Sequence, residues 1–178
     1  MLFTILYMLT ILLMEKKDKE IYKGLSDTDA LTGLFNRRAF QTAVDEILLK
    51  RISGVFIFID VDNFKDYNDK YGHANGDLCL KHFADAMKKC FPKDSILGRY
   101  GGDEFVVYIK NAASDDAHRY MDEFQREISH LMMSGGERVT VSASAGGVAF
   151  IGEGEDFVSL CRSCLLYTSP SPRDRSVS

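Results

Sequence analysis

Five consecutive apolar residues, Val55 to Ile59, constrain the fold of this 178-residue chain more than any other feature. The segment is rich in β-branched and aromatic side chains, and its length suits a strand better than a helix. Since both of its faces are apolar, we expect this strand to be buried inside a sheet. It ends at two carboxylates, Asp60 and Asp62, and open α/β sheets tend to bind ligands at the ends of buried strands.

The overall composition is that of one soluble globular domain. Apolar residues make up 46% and charged residues 27% of the chain, both ordinary values, and the length is enough for a single core. A net charge of −4 disfavours nucleic acid as a partner, because nucleic-acid binding needs a basic face. Cys161 and Cys164 have the spacing of a redox pair or half a zinc site, but no second pair completes it, so we expect reduced thiols.

Apolar periodicity and turn residues predict an alternation of helices and strands. Gly101 and Gly102 separate two of the strands, which we therefore expect to form a tight hairpin. Asp27 and Asp29 can cap the start of one helix, and Asn36 that of another. The predicted helices are 37–50, 75–90, 114–133 and one that begins at 156, and the predicted strands are 55–59, 95–100, 104–109 and 139–150.

Both ends of the chain differ from its middle. Residues 1–14 are uncharged and mostly apolar, and charged residues 15–20 follow at once. This is shorter than the roughly 20 residues that span a bilayer. Three interpretations remain, which are the end of a membrane helix whose start is missing, a short anchor, and a buried helix. We favour the first, which places the following lysines and the rest of the chain in the cytoplasm.

Residues 15–26 form a connector, and residues 165–178 resemble a translated sequencing adapter or a disordered tail outside the domain.

Acidic residues at strand ends form the candidate site. Asp60 and Asp62 end the buried strand, and Asp103 and Glu104 follow the Gly-Gly turn of the hairpin. If the hairpin lies beside the buried strand, these carboxylates converge, and hard oxygen ligands suit Mg²⁺ or Mn²⁺. Glycines leave room for a phosphate, and Lys65 can neutralise its charge. The pattern predicts metal-assisted phosphoryl or nucleotidyl transfer; the alternative is an ordinary Gly-Gly turn with solvated acids.

Four motifs in order carry a resemblance to a known family. The segment Arg99-Tyr-Gly-Gly-Asp-Glu-Phe105 resembles the signature of the GGDEF family, the diguanylate cyclases. Segments 29–38 (DALTGLFNRR), 60–77 (DVDNFKDYNDKYGHANGD) and 141–147 (VSASAGG) resemble its other motifs. The resemblance implies one domain over residues 27–164, with an α/β (α+β) fold in which helices flank a central mixed sheet, as in nucleotidyl cyclases and polymerase palms. It also implies the reaction, in which two GTP condense to cyclic di-GMP and two pyrophosphates.

The resemblance also implies roles residue by residue. Metal binding falls to Asp60, the Val61 carbonyl and Asp103. Asp103 also helps to deprotonate the attacking 3′-hydroxyl, Glu104 supports the same site, and Lys65 stabilises charge on the phosphates. The implied substrate contacts are the Phe64 amide for phosphate, Asn68 and Asp77 for the guanine edge, His73 for ribose or base unless it only packs, and Gly101 and Gly102 for room around the phosphates.

The implied enzyme is a homodimer, because each domain holds one GTP. With the predicted anchor it would lie at the inner membrane of a bacterium. The family pattern continues with an A-L-Y-x-A-K helix and a G-R-N strand, whereas this chain reaches Leu160-Cys-Arg-Ser163 and then the adapter-like segment. We therefore expect the last helix and strand to be missing, and the alternative function is an inactive or truncated module that binds GTP or cyclic di-GMP. A cyclase of altered base choice is disfavoured, because the carboxylate of Asp77 fits guanine better than adenine.

Overall fold

Helices and strands alternate along the part of the chain that the computed structural model describes, which is residues 27–129, 131–132, 138–151 and 156–166. The helices are α1 (Arg37–Leu49), α2 (Phe64–Tyr71), α3 (His73–Cys90), α4 (Ser114–Ile128) and α5 (Phe157–Leu166). The strands are β1 (Phe35–Asn36), β2 (Gly54–Val61), β3 (Ile96–Arg99), β4 (Glu104–Lys110), β5 (Leu131–Met132), β6 (Arg138–Val139) and β7 (Ala143–Phe150).

Five of these strands form one mixed sheet in the order β1-β3-β4-β2-β7. β1 runs parallel to β3, and all other neighbours are antiparallel. The predicted hairpin is present as β3 and β4. β2 lies between β4 and β7, which confirms the prediction of an internal buried strand, and its Phe56 and Ile59 have no solvent exposure (0%).

Apolar side chains of β2 point alternately to the two faces of the sheet and join two separate cores. On one face, Ile57 and Ile59 pack in the cluster that α3 and α4 complete. On the other face, Phe56 packs with Phe40 of α1 and Phe157 of α5, with ring centroids 6.2 and 5.7 Å away. Helices therefore cover both faces of a mixed sheet, which confirms the predicted α/β (α+β) fold class.

The helix predicted over 114–133 is shorter than expected. α4 ends at Ile128, the last residue of its buried face. The Ser129 hydroxyl then donates a hydrogen bond to the Arg126 carbonyl (2.7 Å), and such a bond satisfies a carbonyl left open at the end of a helix. The two residues that form β5 were predicted to be helical, but they pair with β6 instead.

The strand predicted over 139–150 is divided in the structure. Val139 belongs to the small hairpin of β5 and β6, whereas the strand of the main sheet, β7, begins at Ala143. A continuous run of β-forming residues gives no local sign of this division, because it depends on which partner strand each part finds.

Helix α2 was not expected from the sequence pattern. None of its residues is fully buried, and its apolar period consists only of half-buried Phe64, Tyr67 and Tyr71, over fewer residues than the window in which periodicity indicates a helix. The Gly72 amide donates to the Asn68 carbonyl (2.8 Å) at its end, and Gly72 has a φ of 82°, a conformation that favours glycine. α3 then begins at His73, two residues before the predicted start.

The predicted helix caps have different outcomes. Asn36 caps α1 as expected, since its side chain accepts from the Ala39 amide (3.0 Å). Asp27 and Asp29 do not cap a helix, because the residues that follow them form a turn that leads into β1. Asp156 accepts from the Ser159 amide (2.8 Å) at the start of α5, where a helix start was predicted.

Residues 1–26 and 167–178 fall outside the described residues. The membrane segment 1–14, the connector 15–26 and most of the adapter-like segment therefore stay predictions, although α5 continues through Leu166. Among the residues described, no helix combines the length and the apolar character that a membrane span requires.

Candidate active site

The end of β2 and the start of β4 bring the predicted acidic residues together. Asp60 pairs in register with Glu104, and the Val61 amide donates to the Asp103 carbonyl (3.2 Å between N and O). Because the two strands are antiparallel, the end of one meets the start of the other. The carboxylates therefore share one edge of the sheet, as expected for a hairpin beside the buried strand.

Asp60 is surrounded by like charge. Burial of its carboxyl group, followed by repulsion from Asp103, Glu104 and Asp62, raises the pKa of Asp60 to about 6. Across the described residues, no lysine or arginine forms an ion pair with Asp60. A bound cation relieves this kind of repulsion, so the electrostatics of the site favour a positively charged ligand.

The donors at this edge fit a hard divalent cation that is shared with a phosphate. Within the described ranges, no three His, Cys, Asp or Glu side chains lie close enough to enclose an ion. Mg²⁺ is often held by only one or two carboxylates together with substrate phosphates. Asp60, Asp103 and the Val61 carbonyl supply oxygen donors of this kind, and the charged groups that act on Asp60 are all carboxylates.

The turn between β3 and β4 holds Glu104 close to the backbone. The Tyr100 amide donates to the Glu104 carbonyl (2.8 Å). A Cβ atom on Gly101 would lie 2.5 Å from a carboxylate oxygen of Glu104, which is too close for any side chain to be accepted without movement. A Cβ atom on Gly102 would meet nothing within 4 Å, so there is open space beside the turn at this position.

Arg99 ties this turn to the beginning of the domain. Its Nε and Nη2 donate to the Gly102 carbonyl (3.1 and 2.7 Å), and its Nη1 donates to both carboxylate oxygens of Asp29 (3.2 and 3.3 Å). Asp29 also accepts from the Thr32 amide and hydroxyl (2.9 and 2.7 Å). Burial alone would raise the pKa of Asp29, but the bonds from Thr32 and Arg99 outweigh it and hold that pKa below its usual range.

Asp62 has a different environment from Asp60. Its Oδ2 accepts from the Ser142 hydroxyl and its Oδ1 from the Ser144 hydroxyl, each at 2.6 Å. From the sequence, Asp62 is expected among the converging carboxylates, whereas Ser142 and Ser144 have no assigned role. Neither this contact nor the bond between Asp29 and Arg99 has a local signal, because the partners are 70 to 82 residues apart. The sequence signal that could have pointed to these contacts is that Asp29 and both serines lie inside the family-like segments 29–38 and 141–147.

Helices α2 and α3 place the predicted guanine-binding residues next to each other. The side-chain oxygen of Asn68 is buried and has no hydrogen-bond partner among the described residues. It lies against Gly76, where any Cβ atom would overlap with it. Asp77 follows Gly76 and is exposed. The two helices therefore present an acceptor without a donor beside an open carboxylate, a pattern that suits a ligand with N–H groups.

The remaining predicted residues lie around the start of each helix. Phe64 is the first residue of α2, and Lys65 follows it with an exposed side chain. Asn63, which precedes the helix with a φ of 54°, makes no capping hydrogen bond through its side chain. His73 is the exposed first residue of α3. The structure thus places Phe64 and Lys65 in the first turn of α2, just after the strand that ends near Asp60. His73 is the first residue of α3, the helix that also contains Asp77.

A mixed sheet with helices on both faces and carboxylates at the junction of β2 and β4 defines a palm-like domain of the nucleotidyl-cyclase type. The family model described as "Diguanylate cyclase, GGDEF domain" matches residues 26–164. The chain therefore belongs to the GGDEF family.

Individual relatives agree with this assignment. The chain is 39% identical over 102 residues to "Cyclic di-GMP phosphodiesterase PdeR" of Escherichia coli (strain K12), covering 56% of this chain and 15% of the relative. It is 31% identical over 132 residues to "Diguanylate cyclase DgcM" of the same organism, covering 72% and 32%. The chain thus spans less than a third of the length of either relative.

A solved structure supports the fold. The GGDEF domain of DgcB from Caulobacter crescentus, in complex with c-di-GMP, aligns with a TM-score of 0.72 at 27% identity. The alignment covers 79% of this chain and 84% of that chain. The likeness therefore extends over most of the domain and is not confined to the signature motif.

Proposed function

We propose that this chain is the catalytic domain of a diguanylate cyclase, which condenses two molecules of GTP into cyclic di-GMP and two pyrophosphates. The observation that carries the proposal is the uncompensated group of carboxylates at the end of β2, where burial and then repulsion from Asp103 and Glu104 raise the pKa of Asp60 to about 6. Membership of the GGDEF family supports it.

The reaction consists of two equivalent nucleotidyl transfers. The 3′-hydroxyl oxygen of one GTP attacks the α-phosphorus of the other, a new P–O bond forms, and the bond between the α- and β-phosphates breaks as pyrophosphate leaves. Asp103 accepts the hydroxyl proton in this proposal, and Glu104 supports the same site. A divalent cation, Mg²⁺ or Mn²⁺, held by Asp60, Asp103 and the Val61 carbonyl would neutralise charge on the reacting phosphate.

The start of α2 is the proposed phosphate-binding element. Because Asn63 makes no side-chain cap, the first-turn amides, including that of Phe64, remain available to phosphate oxygens. Lys65 adds a positive charge in the same turn. The open space beside Gly102 is the proposed room for the phosphates, whereas the Glu104 carboxylate occupies the space beside Gly101.

Asn68 and Asp77 are the proposed guanine contacts. The buried oxygen of Asn68 lacks a donor, and the N1–H and N2–H₂ groups of guanine are donors that it and the Asp77 carboxylate can accept. His73, at the start of the same helix, is the proposed contact to ribose or base. The assignment of Asn68 supplies a donor for its buried oxygen, which has no hydrogen-bond partner among the described residues.

The proposal includes a homodimer, because each domain holds one GTP and each hydroxyl must reach a phosphate on the other. Attachment to the inner membrane through residues 1–14 is a separate proposal, and the chemistry does not require it.

A second candidate function is a module that binds GTP or cyclic di-GMP without turnover. The similarity to a protein named as a cyclic di-GMP phosphodiesterase favours it, since that relative carries a matching segment in a protein whose name gives a different activity. The two candidates share the nucleotide site and differ in whether Asp60 and Asp103 support a reaction.

Product analysis separates the two candidates. The purified chain is incubated with GTP and Mg²⁺, and the products are measured by mass spectrometry, with Asp103→Asn as the inactive variant. Asp115→Asn, which changes an exposed carboxylate on α4, is the charge-matched control. Cyclic di-GMP from the wild type and the control but not from Asp103→Asn supports the cyclase. Nucleotide binding without product in all three proteins supports the second candidate.

A further inference from the structure

The two carboxylates that end β2 have opposite surroundings. Asp60 has carboxylates as its charged neighbours and no hydrogen bond to its side chain within the described residues. Asp62 is half-buried and accepts a hydroxyl hydrogen bond on each carboxylate oxygen, both at 2.6 Å. That length is typical of a charge-assisted O–H···O⁻ bond, which is stronger than one between neutral groups.

We propose that Asp62 is a positioning residue, not a metal ligand, and that its hydrogen bonds to Ser142 and Ser144 fix the turn on which the metal and phosphate contacts lie. This inference rests on the proposed function, because it concerns the same site. According to this proposal, the hydroxyls of Ser142, which precedes β7, and of Ser144 within β7 act through Asp62 and determine where the Val61 carbonyl and the Phe64 amide point.

The backbone around Asp62 supports this role. The Asp62 amide donates to the Ser142 carbonyl (3.0 Å), whereas the amide of the preceding residue, Val61, donates to the Asp103 carbonyl (3.2 Å). The end of β2 is therefore tied to β7 on one side and to the signature turn on the other. Just before α2, three hydrogen bonds join Asp62 to Ser142 and Ser144, and the Asp62 carboxylate accepts two of them.

The backbone immediately after Asp62 has a strained conformation that such hydrogen bonds can stabilise. Asn63 has a φ of 54°, a left-handed conformation that costs energy for residues other than glycine and persists where the surroundings enforce it. The side chain of Asn63 does not cap α2, so it does not fix the turn itself. Since Ser142 and Ser144 are two residues apart at the start of β7, their hydroxyls lie on the same face and can hold the carboxylate at two points.

The first variants of the test leave all charges in place. Ser142→Ala and Ser144→Ala, singly and together, remove the hydroxyl donors and keep the Asp62 carboxylate. Asp62→Asn removes the charge but keeps one acceptor and gains donors for a serine oxygen, and Asp62→Ala removes all contacts. Ser129→Ala is the control, because it deletes a hydroxyl hydrogen bond of similar length (2.7 Å) outside the site.

The first measurement is binding by calorimetry of two probes, the Mg²⁺ complex of a non-reactive GTP analogue and guanosine. The double serine variant is expected to bind the Mg²⁺–nucleotide probe about tenfold more weakly, the usual cost of losing an outer partner of a metal site, while guanosine binding is unchanged. Asp62→Ala should behave like the double variant, and Asp62→Asn should recover part of the affinity. General destabilisation would weaken both probes together and would overturn the proposal.

Another pattern would also overturn it. If Asp62→Asn abolishes binding of the Mg²⁺–nucleotide probe while the serine variants bind it as the wild type does, Asp62 is a metal ligand and not a positioning residue.

The second measurement does not depend on nucleotide. The amide NMR signals of residues 61–65 are compared in the nucleotide-free wild type, the serine variants and Ser129→Ala. The serine variants should shift these signals and the control should not; unchanged signals would overturn the positioning role even if the domain binds nucleotide. A wild type that fails to bind the Mg²⁺–nucleotide probe would instead contradict the proposed function, and the NMR comparison would still decide the role of Asp62.

Discussion

Two carboxylates on either side of the signature turn, Asp29 and Asp60, have opposite electrostatic environments. Asp29 accepts from Arg99 and Thr32, and these bonds keep its pKa below the usual range although burial opposes them. Asp60 has no such donor, and burial together with neighbouring carboxylates raises its pKa to about 6. The first group stabilises the folded chain, whereas the second one destabilises it until a cation is present.

The difference indicates how this domain separates structure from function. Arg99 satisfies Asp29 and also holds the Gly102 carbonyl, so the structural carboxylate fixes the turn next to the functional one. Perturbed carboxylates without a partner are typical of functional sites. The paired Asp29 and the unpaired Asp60 should therefore respond in opposite directions when their charge is removed.

The largest expected effect comes from Asp60→Asn. Because it removes a proposed cation ligand, cyclase activity should fall by about 100-fold or more. The same change removes repulsion from Asp103 and Glu104, so the unfolding midpoint of the metal-free protein should rise by about 2–4 °C, since solvent screening limits the gain. The measurements are product formation by mass spectrometry and thermal unfolding in a chelator.

A loss of both activity and stability in Asp60→Asn would contradict this comparison. It would mean that Asp60 has a stabilising contact in the folded chain, as Asp29 has. Asp122→Asn, which changes an exposed carboxylate in the middle of α4, should leave both measurements unchanged.

Asp29→Asn should have a smaller effect and one of the opposite sign on stability. It weakens the charge-assisted bonds from Arg99 and Thr32, which are each worth about 1–3 kcal/mol, so the protein should lose stability in that range. Activity should fall by about tenfold or less, because the Gly102 carbonyl loses only part of its support. Chemical denaturation and product formation test the two expectations.

Asp27→Asn is the matched control for this change. Asp27 also pairs with an arginine, Arg38, at 2.7 Å, but its side chain is 67% exposed, and exposed ion pairs contribute about 0–1 kcal/mol. Arg99→Lys should resemble Asp29→Asn, because a lysine cannot contact both Asp29 and the Gly102 carbonyl in the same way. Equal losses from Asp27→Asn and Asp29→Asn would contradict the structural role of Asp29.

The sequence predicted the parts of the site that depend on local pattern. The apolar run of β2 and the Gly-Gly turn between β3 and β4 are periodic or positional signals, and they were sufficient to place Asp60 near Asp103 and Glu104 once the hairpin was assumed to lie beside the buried strand. The cap at Asn36 also depends on neighbouring residues alone, since its partner is the amide three positions along.

The contacts that distinguish one carboxylate from another could not be predicted in this way. Asp29 and Arg99 meet only because β1 lies beside β3, and Asp62 meets its serines only because β7 lies beside β2. Tertiary pairing decided both of these contacts. Helix α2 was missed for a different reason, because its apolar period (Phe64, Tyr67 and Tyr71) lies within only eight residues, fewer than the window in which periodicity indicates a helix.

The smallest expected effect, and the sharpest comparison, is the pH dependence of stability without metal. For Asp60 the folded pKa of about 6 exceeds the ordinary value of 3.8, so the folded state binds its proton more tightly, and this group makes the protein less stable as the pH rises from about 4 to about 6. For Asp29 the folded pKa is lowered. Its stabilisation is therefore present above pH 3.8 and is lost as the pH falls below that value.

Denaturation of the wild type, Asp60→Asn and Asp29→Asn between pH 3 and 8, in a chelator, separates the two groups. The stability advantage of Asp60→Asn over the wild type should grow between pH 4 and 6 and then stay constant. The disadvantage of Asp29→Asn should be constant over that same interval and shrink only at the acidic end. An advantage of Asp60→Asn that does not change between pH 4 and 6 would mean that Asp60 is not held among unbalanced carboxylates, and the electrostatic basis for a cation at this edge of the sheet would be lost.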